Sequence, residues 1–301
     1  MTGYAVLGAV EQGLVYGIMV VGVYLTFRVL DFPDLTVDGS LPLGAAIASV
    51  AITRGANPFA ALLMAAAAGF LAGMVTALLN TKLRVLHLLA SILTMIALYS
   101  INIRIMGGPN VSLLGQPTVF DPFKKLGLPG YWAAPLIFFI IAVIVTILIV
   151  WFLHTELGQA LMATGDNPKM ITSCGVNTHN MILMGVGLSN ALVAFSGALV
   201  AQNQGAADAT MGVGTIIAGL ASVIVGETLF GNRSILQACF AALLGSIVYR
   251  VAIAVALGLK WGNFAFTPSD LNLITALLVV VALSFPHIKR KLQKGAVIDG
   301  S

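Results

Sequence analysis

Long apolar segments follow one another along the whole of this 301-residue chain. About nine can be counted, and most approach the roughly 20 residues that a helix needs to cross a bilayer. Charged residues make up only 9% of the chain, whereas an ordinary soluble domain contains about 25%. The sequence therefore predicts an all-α polytopic membrane protein with about 8–10 transmembrane helices, in a single domain over residues 1–301. The apolar segments cover approximately residues 10–30, 41–53, 60–79, 85–106, 132–153, 181–202, 213–231, 234–258 and 271–287.

Basic residues indicate the direction in which these segments cross the membrane. A cluster of His, Lys and Arg residues at 287–294 follows the last segment, and such clusters mark the cytoplasmic ends of membrane helices. With the C-terminus in the cytoplasm, counting back through the segments leaves the N-terminus outside. The polar stretch 154–180 is then cytoplasmic, and the Gly- and Pro-rich stretch 107–131 lies outside.

The first apolar segment runs into an acidic stretch, Leu30–Ala46, in a chain that is otherwise almost free of acid. An aspartate near the middle of a bilayer costs about 2.5–3.5 kcal/mol, and irregular backbone at that depth is tolerated only where protein or water satisfies it. The stretch therefore predicts either a translocation pathway or a plain cytoplasmic loop. We expect the first span to end at Asp31-Phe32-Pro33, and Ser40 to cap the next helix with Pro42 in its first turn. The pathway or gate candidates in this stretch are Asp31, Asp34, Thr36 and Asp38.

The sequence around Asp34 resembles a later stretch of the chain. Asp34-Leu-Thr36 and Asp208-Ala-Thr210 each follow a full-length apolar segment and precede a Gly- and Ala-rich one. One additional segment, 132–153, separates two groups of four segments, so the second group would cross the membrane in the opposite sense. Inverted repeats with interrupted helices recur in transporters, although chance similarity between segments rich in Ala, Gly and Val would also give this pattern. The predicted repeats cover residues 10–106 and 181–287.

Polar side chains elsewhere in the apolar segments have two readings. A buried amide such as that of Asn190 often forms a hydrogen bond between helices, and Glu227 could pair with Arg233 near the cytoplasmic boundary. The same residues could instead line the pathway. The remaining pathway or gate candidates are Asn190, Asn203, Asp208, Thr210 and Glu227.

The predicted cytoplasmic loop 154–180 contains helix signals but no metal-binding, nucleotide-binding or catalytic pattern. Asn167-Pro168 is a good helix start, and Gly175 is a good terminator. The loop therefore predicts two short helices, broken at Gly165, that expose Met, Ile and Leu side chains. Such helices suit docking into a groove of another protein. The alternative is an ordinary interfacial loop packed against its own bundle.

Three stretches of the chain, 13–46, 156–178 and 219–234, occur in an order that is similar to one known family. In these stretches the chain resembles the permease subunits of ABC importers, in the family of the branched-chain amino acid and ribose permeases. The first and third stretches look most like a subgroup of amino acid permeases of the tryptophan and tyrosine type, or of uncharacterised ABC permeases. The second is similar to the loop that docks on the ATPase subunit in this family. The residues that would couple to the ATPase are Glu156, Gly158, Ala163, Asp166, Asn167, Pro168 and Gly175.

The resemblance implies a permease that forms the translocation pathway as a dimer, most simply a homodimer, in a bacterial inner membrane. Its partners would be two cytoplasmic ATPase subunits and an extracytoplasmic substrate-binding protein, and its substrate an amino acid or another small polar solute. The chain has no G-x-x-x-x-G-K-[ST] phosphate loop, so ATP and Mg²⁺ would bind to the partner ATPase, and this chain would not itself be an enzyme. The alternative function is an ion-coupled secondary transporter that uses Asp34 or Asp208.

Overall fold

Helices account for most of the chain in the computed structural model, which describes residues 3–124, 130–258, 260–261, 264–265 and 280. The first span continues from an α-helix directly into one π-helical turn, here called the π-segment (Leu25–Val29). The helices are α1 (Gly3–Tyr24), α2 (Val37–Thr53), α3 (Pro58–Thr81), α4 (His87–Met106), α5 (Asp121–Lys124), α6 (Gly130–Leu153), α7 (Glu156–Asp166), α8 (Pro168–Ser173), α9 (Thr178–Gln204), α10 (Thr215–Phe230) and α11 (Ile235–Gly258). The strands are β1 (Asn110–Ser112), β2 (Ala206–Asp208), β3 (Lys260–Trp261) and β4 (Phe264–Ala265).

Six of the described helices are long and apolar enough to cross a membrane, which confirms the all-α polytopic prediction. Two further apolar helices, α2 and α10, are shorter. These two correspond to the predicted segments 41–53 and 213–231, each of which follows a break in the chain. The last predicted segment, 271–287, lies outside the described residues except for Val280.

The first break begins where the sequence predicts it, but the next helix starts earlier than expected. The π-segment ends at Val29, and Asp31 takes a left-handed conformation with φ +51°. The prediction that Ser40 caps the next helix is wrong, because α2 begins at Val37 and contains Pro42 in its interior. The helix can begin there because the Asp34 carboxylate accepts the amide of Thr36 and starts the turn before α2.

Two short strands, β1 and β2, join the parts of the chain that follow α4 and α9 at one end of the helix bundle. Strands β1 and β2 pair antiparallel, with Asn110 opposite Asp208, and they follow α4 and α9 respectively. At the same end, the Asn203 amide of α9 donates to the Glu11 carboxylate of α1 at 2.7 Å. The C-terminal ends of α4 and α9 therefore lie beside the N-terminal part of α1, as the predicted direction of crossing requires.

The packing of the helices exchanges elements between the two halves of the chain. Helix α1 packs on α11, and α9 packs on α3. The two short helices contact both halves, since α2 packs on α9 as well as on α3, and α10 packs on α1 as well as on α11. This reciprocal arrangement is what two interlocked repeats would produce, and the boundaries 10–106 and 181–287 stay a prediction.

Glycines allow the closest of these approaches. A methyl group on Gly44 of α2 would lie 2.6 Å from the Cα of Ala194 in α9, and one on Gly197 of α9 would overlap the carbonyl of Leu41. Helix pairs in membranes are stabilised by such small residues, because the backbones can then come into direct contact. Helix α2 is buried along most of its length as a result.

Candidate functional site

A buried polar cluster holds the break between the π-segment and α2. One carboxylate oxygen of Asp34 accepts the backbone amide of Thr36 at 2.9 Å, and the other accepts the side-chain amide of Asn190 at 2.6 Å. The Thr36 hydroxyl lies 2.8 Å from that of Thr76 in α3, and the Ser40 hydroxyl donates to the Asn190 carbonyl oxygen at 2.7 Å. All five side chains are completely buried, so in this conformation the cluster joins α2, α3 and α9 within one copy of the chain.

The second Asp-x-Thr motif forms the same turn in a different environment. The Asp208 carboxylate accepts the amide of Thr210 at 2.7 Å, as Asp34 accepts that of Thr36, and it also accepts the Thr210 hydroxyl at 2.6 Å. Asp208 and Thr210 are exposed, whereas Asp34 and Thr36 are buried. The two motifs therefore share a local structure, and only the second is open to a partner or a solute.

Asp38 connects the two interrupted helices directly. Helix α10 starts after Gly214, which has no side chain with which to cap it. The Asp38 carboxylate of α2 takes this role, since it accepts the amides of Gly214 at 3.0 Å and Ile216 at 2.8 Å and the hydroxyl of Thr215 at 3.0 Å. A carboxylate is favoured here because the amides at a helix start are unpaired and carry the positive end of the helix dipole.

Glu227 pairs across the molecule rather than with its neighbour in sequence. Its carboxylate binds the guanidinium of Arg28 in the π-segment, with Nε 2.9 Å and 3.2 Å from the two carboxylate oxygens and Nη2 bound to Oε2. The expected pairing with Arg233 is therefore wrong, and Arg233 is exposed. The one sign of this role for Arg28 in the sequence is that it is the only basic residue in the first apolar segment, 10–30.

The two remaining pathway candidates lie apart from these clusters. Asp31 is exposed and precedes Phe32, whose ring packs edge-on against His87 with centroids 4.7 Å apart. Asn203 binds Glu11 at the opposite end of the bundle. The candidates predicted from the sequence therefore form several separate groups, and Thr76 and Ser40 are cluster members that sequence reasoning did not include.

The predicted coupling loop consists of one helix seated on the bundle and one exposed helix. Helix α7 is capped by Thr155 and buries Gly158, Leu161 and Thr164. Its Gly165 lies inside the helix, so the prediction of a break there is wrong. The glycine instead allows close approach, since a methyl group on it would lie 2.9 Å from the Cα of Leu30. Of the other coupling candidates, Glu156 and Asp166 are exposed and Ala163 is half-buried.

Helix α8 begins and ends where the sequence predicts. The Asn167 side chain caps it by accepting the amide of Met170 at 3.1 Å, Pro168 is its first residue, and Gly175 takes a left-handed conformation after it. No residue of α8 is buried, and Met170 is 52% exposed. A groove of about 390 Å³ separates this region from the turn between α3 and α4, with Arg84 and His179 among its lining residues.

The described clusters contain no evident place for a metal ion. Within the described ranges, no three His, Cys, Asp or Glu side chains come together in a way that could hold one. The carboxylates of Asp34, Asp38 and Glu227 are all engaged by protein donors. What these side chains do in this conformation is to join helices that are distant in sequence.

Comparison with known proteins identifies the fold and the family. Residues 5–283 match the family described as branched-chain amino acid transport system / permease component. The chain is 38% identical over 289 residues to the tyrosine transport system permease protein of Clostridioides difficile (strain R20291), which covers 96% of this chain and 94% of that protein. It is 26% identical over 226 residues to the ribose import permease protein RbsC of Escherichia coli (strain K12), which covers 72% of this chain and 67% of that protein.

A solved structure supports the same assignment of fold. It is a metal-chelate type ABC transporter in an inward-facing conformation, with a TM-score of 0.51 and 19% identity, covering 95% of this chain and 85% of that chain. Together with the six long apolar helices, these relatives identify a multi-pass ABC transporter permease of the bacterial inner membrane. Because the family match extends over nearly the whole sequence, the chain belongs to the branched-chain amino acid transport system permease component family.

Proposed function

We propose that this permease is the membrane subunit of an ABC importer, driven by separate ATPase subunits that dock on α7 and α8. The observation that carries the proposal is the contrast between these helices, because α7 is seated on the bundle whereas α8 has no buried residue. A helix of 6 residues is marginal in water without tertiary contacts, so α8 is suited to gaining those contacts from a partner. Movement of the partner would then reach the bundle through α7.

The translocation pathway in this proposal lies between two copies of the chain. The polar groups of Asp34, Thr36 and Asn190 are completely buried and bound to protein partners inside a single copy, so this cluster has no side chain free to bind a solute. A polar solute therefore needs another route, and the surface between two copies can supply one. An extracytoplasmic binding protein would deliver the solute at the end of the bundle away from α7 and α8, where Asp208 and Thr210 are exposed.

The substrate in this proposal is an amino acid, with L-tyrosine as the first candidate. Support comes from the 38% identity to a tyrosine transport system permease protein over nearly the full length of both chains. ATP and Mg²⁺ would bind in the partner ATPase, since the chain contains no phosphate-loop motif. This chain would contribute the pathway and its movement but no hydrolysis.

Docking can be tested with a matched pair of double variants. Asn167→Gly with Pro168→Gly removes the cap and first residue of α8, and Asn57→Gly with Pro58→Gly removes the same two features from α3. We expect the first variant to lower ATPase co-purification and ATP-driven uptake of radiolabelled L-tyrosine about tenfold, a loss of about 1.4 kcal/mol. The second should retain ATPase co-purification, because the start of α3 lies at the end of that helix away from α8.

Two results would contradict the importer. If the α8 variant retained as much ATPase on co-purification as the α3 variant, α8 would not be a docking element. Uptake driven by an ion gradient in vesicles without any ATPase would instead support a secondary transporter.

A further inference from the structure

We infer that Arg28 and Glu227 are positioning residues that transmit movement of α7 to the interrupted helix α10, an inference that rests on the proposed docking of an ATPase on α7 and α8. The π-segment would pass the movement from α7 to α10. It contacts α7 on one side and is bound to the last turn of α10 on the other.

The first contact joins α7 to the π-segment through backbone atoms. A methyl group on Gly165 of α7 would overlap the carbonyl oxygen of Val29 and lie 2.9 Å from the Cα of Leu30. Leu161, one turn earlier in α7, is completely buried. Contact between backbones leaves little room for sliding, because close-packed atoms transmit displacement rather than absorb it. A shift of α7 therefore has to move the π-segment.

The second contact joins the π-segment to α10 through Arg28 and Glu227. The two side chains form a forked pair, which fixes their orientation as well as their distance. The Glu227 side chain is only 10% exposed, whereas that of Arg28 is 53% exposed. A carboxylate shielded to this extent holds its partner more firmly than one on an open surface. The π-helical turn that presents Arg28 belongs to a rare element that is frequent at functional sites.

The third contact makes α10 respond as a rigid rod. Asp38 of α2 binds the amides at its start, and Arg28 binds its last turn. Both ends of this helix of 16 residues, about 24 Å long, are thus held by residues from the first half of the chain. Displacement of the π-segment would tilt α10 about its capped start, which is a small movement of the kind that switches packed helices between two arrangements.

Charge exchange tests the second contact. The variants Arg28→Glu, Glu227→Arg and the double exchange are reconstituted with the cognate ATPase and binding protein, and ATP hydrolysis and uptake of radiolabelled L-tyrosine are measured together. We expect each single variant to lower the uptake per ATP hydrolysed about tenfold, and the double exchange to restore it to within about threefold of the wild type. Arg233→Glu is the matched control, because Arg233 is exposed at the same end and should leave the ratio unchanged.

A cross-link distinguishes transmission from simple stabilisation. Arg28→Cys and Glu227→Cys are combined with Cys174→Ser, since Cys174 is exposed whereas Cys239 is buried. We expect the free double-cysteine variant to take up L-tyrosine about tenfold more slowly than the wild type, and a short bis-maleimide to restore uptake at least about threefold. If Arg28 and Glu227 only stabilised the fold, a cross-link formed after folding would not restore transport.

The outcomes separate the linkage from the importer function. Single variants that keep wild-type uptake, a double exchange as defective as its parents, or a cross-link that stops uptake would each overturn the linkage. If the wild-type complex shows no ATP-driven uptake at all, the importer proposal itself is wrong and the linkage falls with it.

Discussion

Asp34 is a carboxylate that is completely enclosed by protein in a chain that crosses a membrane. One of its oxygens accepts the amide of Thr36 and the other accepts the side-chain amide of Asn190, while the Thr36 hydroxyl is paired with that of Thr76. Removing one partner from such a cluster leaves the others buried without a bond, which costs more than the bond itself contributes. The cluster is therefore a fixed joint between helices.

The two Asp-x-Thr motifs allow a controlled measurement of that joint. In Asp34→Asn, a side-chain NH₂ replaces one acceptor and faces a donor in either orientation, the amide of Thr36 or the NH₂ of Asn190, so we expect the free energy of unfolding to fall by about 1–3 kcal/mol. Asp208→Asn changes the same turn at an exposed position and should alter stability little. Thermal unfolding of both variants in detergent checks the difference. Equal midpoints would show that burial of the first motif does not matter.

At this residue scale the sequence predicted the motif but not its surroundings. Both Asp-x-Thr turns are local, and a short polar side chain that binds the backbone two residues later can be recognised from sequence. The partner Asn190 lies 156 positions from Asp34, and Thr76 belongs to a helix that is mostly apolar. Only the packing of α2 between α3 and α9 brings them together, and that packing has no local signal.

At the scale of elements, helix ends followed local rules where the cap was local. Asn167-Pro168 starts α8 as the sequence predicts, and Asn57-Pro58 starts α3 with the same two residue types. Ser40 and Gly165 were misinterpreted because each has a role in another element, Ser40 in a bond to α9 and Gly165 in contact with the π-segment. A residue selected for a distant contact can carry the same local signature as a cap or a break.

Helix α10 shows the same dependence on a distant cap, and this leads to a prediction. In Asp38→Ala the first turn of α10 loses three hydrogen bonds that Gly214 cannot replace. A lost helix cap costs about 1 kcal/mol, so we expect amide hydrogen exchange at residues 214–217 to become about fivefold faster. Asp38→Asn keeps one acceptor oxygen and should give an intermediate rate.

The contradicting result is specific to α10. Exchange at residues 214–217 that is as slow in Asp38→Ala as in the wild type would show that packing against α1, rather than Asp38, holds the start of the helix. In that case the picture of α10 as a rod held at both ends would also lose one of its two supports.

At the scale of the whole molecule, the halves are exchanged rather than placed side by side. Helix α1 lies on α11, α9 lies on α3, and Asp38 of the first half caps α10 of the second. Each half therefore depends on the other for part of its packing, although α2 also packs on α3 and α10 on α11 within the same half. The sequence suggested two related halves through their matching breaks, but it could not show that each completes the other, because that follows only from contacts over more than 150 positions.

This interlocking predicts how the chain behaves when it is divided between β1 and α5. Each half expressed alone should aggregate or be degraded. Without the first half, α9 would expose Asn190, and without the second half, the break before α2 would expose the carboxylate of Asp34. Expressed together, the two halves should assemble in the membrane and co-purify through a tag on either one. Size-exclusion chromatography in detergent measures this, with the uncut chain as the reference. A half that purifies alone as a monodisperse particle with cooperative unfolding would mean that it forms its own core, and the exchanged contacts would then be an interface between two independent units.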